Sequence, residues 1–375
     1  MDLTSGITAR PRTHEGAMSA EARYGYIPGL DGLRAIAVLI VLVAHFGLGH
    51  LVPGGFGVTV FFFISGFLIT RLLIAEAEKK DRIGLKDFYI RRAIRLFPAL
   101  IGMTVVTTAI HVGLGLGAPT GGEFAAANLY ATNYYQIAQQ GAGVMPYMSW
   151  TPLWSLAVEE HFYLLFPALL VLTGLDWRRL TAVLLAVVVA VPIWRLVVSL
   201  VWPDTAELYT YMATDARIDS IAYGCLFSLG LHQLRNPERL RWLIGWAPVA
   251  LAVAALLATF VIRDEMFRQV LRFSVQGVAI GVLILNLYFG QMFRWTFPVL
   301  ELAPLRWIGR VSYGLYLWHF PVLDGVRRLE LGEAQTVLLA LAASFAVTAL
   351  SFYFWEQKFV ALRKRFGAHI VKAPG

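Results

Sequence analysis

A single cysteine, Cys225, stands among the 375 residues, so no internal disulfide can form and no cysteine-based metal site exists. Charge is scarce as well. Asp, Glu, Lys and Arg make up 15% of the chain, where an average soluble domain has roughly 25%. No Gly-x-Ser-x-Gly elbow occurs, which leaves a serine acyl-enzyme without support. A His-Glu-x-x-His zinc helix and a phosphate-cradling glycine loop are missing too, and no metal site is expected. No internal repeat, heptad array or low-complexity tract is visible. A cleavable signal peptide is not expected either, because residues 1–24 are polar and the first apolar stretch is too long and starts too late.

What fills the chain instead is apolar. Hydrophobic residues reach 58%, with 11 Trp and 24 Phe, and the mean hydropathy is +0.63. Apolar runs of about 18 residues or more mark membrane-spanning helices. Ten such runs fall near 31–50, 56–77, 96–117, 153–173, 180–202, 216–234, 242–262, 269–290, 307–326 and 336–357. The expected fold class is therefore all-α, a polytopic integral membrane protein of about ten transmembrane helices. With the N-terminus in the cytoplasm, 23 of the 32 Lys and Arg lie in the N-tail, the even-numbered connections and the C-tail. Five (Arg263, Arg268, Arg272, Arg327 and Arg328) lie on the other side. This asymmetry predicts that both termini are cytoplasmic, and it accounts for the net charge of +8 without a nucleic-acid partner.

Two connections are longer than a link requires. Residues 78–95, EKKDRIGLKDFYIRRAIR, read as a basic, aromatic amphipathic helix lying at the cytoplasmic interface. Residues 118–152 carry one charge, Glu123, and are rich in Gly, Ala, Asn and Tyr; loops of that length are usually functional or disordered.

Within the first run, DGLRAIAVLIVLVAHFGLGH at 31–50, Arg34 and His45 stand at either end of an apolar stretch. Eleven positions make three helical turns plus roughly 20°, so the two share one face about 16 Å apart. Ionisable groups at membrane depth are costly, and by default they mark a functional site.

The remaining motifs occur in order: GGFGVTVFFFISGFLIT at 54–70, FYIRRAIRLFPAL at 88–100, WTPLWSLAVEEHFYLLFP at 150–167, ARIDSIAYGCL at 216–226, IGRVSYGLYLWHFP at 308–321 and SFYFWEQKF at 351–359. Together with the first helix they resemble the membrane-bound acyltransferase family 3, O-acyltransferases that modify sugars, glycans and macrolides. The resemblance spans nearly all of 25–365. It implies an acyltransferase domain at 25–360 between cytoplasmic tails at 1–24 and 361–375. Some relatives carry an extracytoplasmic hydrolase-like domain after the last helix; this chain is too short for one, so its membrane domain is expected to act alone or with a separate partner.

The resemblance also implies roles. The Arg34-to-His45 spacing matches the family's Arg/Lys-x10-His signature, and a neutral imidazole suits removal of a hydroxyl proton near neutral pH, so His45 is the expected general base. The bland reading is a histidine satisfied by nearby backbone. Arg34 is either functional or snorkels to phospholipid headgroups. Arg92 and Arg95, with Arg91 beside them, match the family's Arg-x-x-Arg pair and suit the phosphates of an acyl-CoA, acetyl-CoA above all, while also setting topology and meeting anionic lipid. Acyl-CoA is thus a co-substrate, with no permanently bound cofactor. In WSLAVEEHFY, adjacent acids point about 100° apart on a helix, and Glu159 matches the more constant acid and is expected to orient His45. Arg217 and Asp219 either contact each other or bind substrate. Tyr316 and His319 belong to a polar stripe that lines the cavity or simply packs the core.

The expected activity is transfer of an acyl group from acyl-CoA to a hydroxyl of a carbohydrate or macrolide acceptor, in the bacterial cytoplasmic membrane. A proton-coupled transporter is the alternative, since buried His, Glu and Arg also build proton relays. It calls for repeats and for helices broken at mid-membrane. A non-enzymatic scaffold would not need Arg34 and His45 aligned.

Overall fold

In the computed structural model, residues 27–50, 53–234 and 237–364 are described. The expected tail at 1–24 lies outside them, as does 365–375 of the expected tail at 361–375. All regular structure among the described residues is helical. Helix α1 (Leu30–Val43) runs into a π-helical turn at Ala44–Leu48. Helices α2 (Gly54–Lys80) and α3 (Leu85–Gly113) follow, then two short helices, α4 (Gly121–Asn128) and α5 (Thr132–Gly141). Next come α6 (Leu153–Leu172), α7 (Trp177–Val201), α8 (Pro203–Met212) and α9 (Thr214–Leu234). The chain ends with α10 (Trp246–Val261), α11 (Arg272–Phe289), α12 (Thr296–Leu300), α13 (Ala303–Arg327), α14 (Glu333–Leu350) and α15 (Gln357–Lys364).

Each of the ten expected segments is helical, but among the described residues seven helices are long and apolar enough to cross a membrane: Leu30–Leu48, Gly54–Lys80, Leu85–Gly113, Leu153–Leu172, Trp177–Val201, Phe267–Phe289 and Glu333–Phe359. The protein is a multi-pass membrane protein. The other three segments fall short for local reasons. Helix α10 has only 16 residues. Helices α9 and α13 carry polar side chains that the bundle interior buries, among them Arg217, Asp219, Ser312 and His319. The separate interfacial helix expected at 78–95 does not form. Residues up to Lys80 finish α2, Asp81 caps it in the left-handed region (φ 52°), and Leu85 onward is the first part of α3. The stretch 118–152 is an ordered cap rather than a loose loop. Thr120 caps α4 by accepting from the Glu123 amide at 3.1 Å, and Glu123 in turn accepts from the Met148 amide at 2.7 Å. Burial pushes the Glu123 carboxyl above the usual carboxylate range, against the pull of the Met148 and Tyr147 amides.

Helix α2 sits centrally, packed on α1, α9 and α11, while α13 lies between α1 and α14. Without a hydrophobic drive between helices inside lipid, close backbone approach at small residues does much of the joining. A Cβ on Gly66 would stand 2.0 Å from the Ile221 carbonyl, and one on Gly224 would stand 2.0 Å from the Phe63 carbonyl. The α2–α9 contact is therefore made by two facing glycines. A buried ion pair adds a second bolt. Arg195 of α7 and Asp219 of α9 are both fully buried and joined at 2.9 Å. All five guanidinium hydrogens of Arg195 are used, on Asp219 twice, on the Val270 and Ala216 carbonyls, and on Ser274 Oγ. Pro192 and Pro321 lie inside α7 and α13, which run on as single helices.

Gly224→Ala should therefore lower the unfolding temperature in detergent, with an overpacking cost of about 1–3 kcal/mol. Gly113→Ala, whose Cβ meets nothing within 4 Å, should not lower it. Asp219→Asn removes one partner of a buried pair and should cost about 3–5 kcal/mol, read as loss of folded protein or a large drop in the same melting temperature.

Candidate active site

The π-turn at Ala44–Leu48 carries His45. Such turns open the α-helical ladder and are frequent at functional sites. Gly47 has φ 114°, in the region that favours glycine, so the turn depends on that residue. Across from it, α13 presents His319, which is fully buried. His45 Nδ1 lies 2.8 Å from His319 Nε2, and His319 Nδ1 lies 2.6 Å from the Tyr316 carbonyl oxygen.

This chain of contacts fixes the tautomers of a neutral pair. A carbonyl oxygen can only accept, so His319 Nδ1 carries a hydrogen. His319 Nε2 must then accept, and His45 Nδ1 must donate. What remains is His45 Nε2 with a free lone pair, the form a general base requires. The partner orienting His45 is His319, a residue sequence reasoning assigned to the cavity wall or to core packing. The expected contact between Glu159 and His45 is not made: Glu159 accepts from Ser65 Oγ and, at 2.9 Å, from Tyr163 OH. The geometric reason is that α6 faces α2 through Glu159, whereas His45 meets α13. A histidine at i, paired with one 274 positions later, leaves no spacing signal.

Next to the histidines lies a cavity of about 100 Å³ between α1, α2, α3, α6 and α13. Arg34, Arg92, Arg95, Glu159, Glu160 and Tyr316 all contribute to its wall, while His45 and His319 do not. Ser155 and Tyr316 close one side through a 2.6 Å hydroxyl contact, and the Tyr316 hydroxyl also lies 3.0 Å from the Pro152 carbonyl. Tyr316 therefore belongs to both features: its ring lines the cavity and its carbonyl holds His319. Arg34 donates to Ser312 Oγ at 3.0 Å, so it is held in the bundle rather than extended along lipid.

The arginine group is divided. Arg91 pairs with Glu76 at 3.4 Å, outside the cavity wall. Arg92 makes a bidentate contact with Glu160, at 2.6 to 3.1 Å, and lies over the Tyr163 ring. Sequence reasoning missed that partnership, although the 100° divergence of Glu159 and Glu160 already requires them to face different groups. Arg95 is on the cavity wall beside this pair.

Arg217 and Asp219 do not contact each other. Asp219 is taken by Arg195, and Arg217 donates to the Tyr211 carbonyl at 2.9 Å and Thr59 Oγ1 at 3.2 Å. Its guanidinium stands 3.6 Å over the Phe273 ring, with Phe62, Trp154 and Tyr211 also around it. Two residues along α9, Arg217 and Asp219 point to different sides of the helix. No cluster of three or more metal-ligating side chains occurs among the described residues.

Fold and site together define a multi-pass membrane protein with a hydrogen-bonded histidine pair linked through Tyr316 to a cavity that arginines and glutamates line. The chain belongs to the acyltransferase family 3, whose Acyltransferase domain matches residues 27–356. Similar proteins include the peptidoglycan O-acetyltransferase OatA of Listeria monocytogenes, 32% identical over 90% of this chain and 57% of its own length. The putative peptidoglycan O-acetyltransferase YrhL of Bacillus subtilis is 30% identical over 92% of this chain and 58% of its own. A putative O-acetyltransferase of Staphylococcus aureus strain COL is 31% identical over 89% and 57%. The chain thus spans little more than half the length of these relatives. No solved structure matches it significantly.

If His319 orients His45, His319→Ala should depress turnover by about tenfold or more with little change in substrate binding. The double variant with His45→Ala should be scarcely worse than His45→Ala alone, because groups acting as one unit are strongly non-additive. A double-mutant cycle at matched expression reads this directly; losses that multiply would mean that the two histidines act separately.

Proposed function

We propose that this protein is an O-acyltransferase of the cell membrane, moving an acyl group, most simply acetyl, from acyl-CoA to a hydroxyl of a carbohydrate acceptor such as a cell-wall glycan. The relay from the Tyr316 carbonyl through His319 to His45 is the observation that carries the reading. The names of the relatives supply the acetyl group and the class of acceptor.

In this reading the acceptor hydroxyl gives its proton to His45 Nε2 while its oxygen attacks the thioester carbonyl. The carbon–sulfur bond then breaks, and the imidazolium returns the proton to the leaving thiolate. An acyl-CoA and an alcohol become an ester and free coenzyme A, with no covalent enzyme intermediate. As His45 gains charge, His319 Nε2 keeps accepting from Nδ1 and steadies the imidazolium. Arg95 and Arg34 offer permanent positive charge to the donor's phosphates. Arg92 joins them only by exchanging Glu160 for a phosphate oxygen. Coenzyme A enters from the end of the bundle where α3 begins, the cytoplasmic end on the distribution of Lys and Arg.

Purified protein in vesicles, supplied with labelled acetyl-CoA and a panel of glycans, tests the proposal. The parent should label at least one glycan, and His45→Ala should lose about 10²-fold or more while inserting normally. Transfer in His45→Ala above about a tenth of the parent rate would remove the histidine base.

A further inference from the structure

A second cavity, of about 170 Å³, opens at the end of the bundle that carries His45, between α2, α8, α10 and α11. Pro53 and Gly55 form part of its wall. Gly54, between them, lies so near the π-turn that a Cβ on it would stand 2.8 Å from that of Ala44, the neighbour of His45. Arg217 and its ring of aromatics separate this cavity from the first: Phe62 lines one, Tyr211 and Phe273 line the other, and the guanidinium touches all three.

The wall of this second cavity holds three guanidiniums, Arg263, Arg268 and Arg272, and no carboxylate. Arg268 is paired with the exposed Glu207 at 3.1 Å. Arg263 and Arg272 have no ion-pair partner among the described residues, and Arg272 Nε is buried without an acceptor. These three belong to the basic minority at the end where positive charge does not serve topology.

Gln276, only 3% exposed, adds the opposite polarity. Thr259 Oγ1 spends its hydrogen on the Leu256 carbonyl at 2.7 Å, so it must accept from Gln276 Nε2 at 3.1 Å. That fixes the amide and leaves Gln276 Oε1 buried without a donor. Inside the wall, Arg272 Nε thus lacks an acceptor and Gln276 Oε1 lacks a donor, while Arg263 stands exposed at the rim without an ion-pair partner among the described residues. Such unmet demands inside a cavity are costly unless a ligand supplies them.

We propose that this cavity recognises the acceptor by an oxyanion, a carboxylate or a phosphate ester, carried on a sugar whose neighbouring hydroxyl donates to Gln276 Oε1. Arg263 and Arg272 pair with the oxyanion, and the Tyr211 and Phe273 rings offer apolar faces to the sugar. The assignment rests on the acyltransferase reading above, because it makes the cavity the approach to His45 for the group that receives the acyl chain.

Binding to the purified full chain in nanodiscs, without any acyl donor, tests this separately from catalysis. The probes are an oligosaccharide of glucuronic acid, its methyl ester, and inorganic phosphate as competitor. The acid should bind about tenfold or more tightly than the ester, and phosphate should displace it, since a charge-assisted contact is worth that much. Arg263→Gln, at an exposed helix end, and Gln276→Glu, which places a like charge opposite the oxyanion, should each weaken binding of the acid by about tenfold. Equal binding of acid and ester, or parent-like binding by both variants, would overturn the proposal. If nanodiscs containing phosphatidylglycerol lose probe binding that phosphatidylcholine nanodiscs retain, the site belongs to a lipid headgroup, and the acceptor assignment falls. A parent protein that binds the acid but transfers no acetyl would sink the acyltransferase reading and leave the oxyanion site standing.

Discussion

A charged group at membrane depth has to find its partner inside the bundle, because the surrounding lipid offers no water to solvate it. The pair of Arg195 and Asp219 meets that demand completely, with both side chains fully buried and every guanidinium hydrogen used. It ties α7 to α9, and through Val270 and Ser274 it also holds the start of α11. Helix α9 is then held against α2 by the facing Gly66 and Gly224. Everything that lines the two cavities hangs on this frame, since α2 supplies wall residues to both.

The same demand is met differently at each polar group, and the differences separate scaffold from site. Arg195 is saturated and has nothing left to offer a ligand. Arg92 is matched by Glu160, a closed pair whose partner would have to be exchanged for a phosphate. Arg217 has only neutral acceptors and aromatic faces, with Nε left over. Arg272 and Gln276 carry unmet atoms of opposite polarity toward one cavity. A polar atom that the fold buries and does not satisfy is where a ligand has something to gain.

The histidines follow another rule. Their geometry is set by a backbone carbonyl, the one group in the chain of contacts that cannot change its role. From the Tyr316 oxygen outward, each nitrogen is forced in turn, and the polarity ends on His45 Nε2. The π-turn matters here, since it opens α1 where His45 leaves the helix and Gly47 lets the backbone turn back. His45 stays on the face it shares with Arg34, and both side chains reach α13, Arg34 at Ser312 and His45 at His319.

Much of this protein was determined along the chain. Hydropathy and helical length do not depend on neighbours in space, so the all-helical membrane character and the positions of the long apolar helices could be read from composition and runs. His45, Arg34, Glu159 and Tyr316 were legible as polar residues in apolar surroundings, where burial carries a cost that must be repaid, and Arg95 from the Arg-x-x-Arg motif. What the chain could not reveal is which polar group meets which. Glu159 turned to Ser65 and Tyr163, Asp219 to Arg195, Glu160 to Arg92, and His45 to His319. Apart from Tyr163, one helical turn from Glu159, those partners lie 24 to 274 positions apart. They are decided by how tightly α2 and α9 approach and by the direction in which each helix faces its neighbours. Only the packed bundle holds that information, because a side chain's partner is fixed by distance in space.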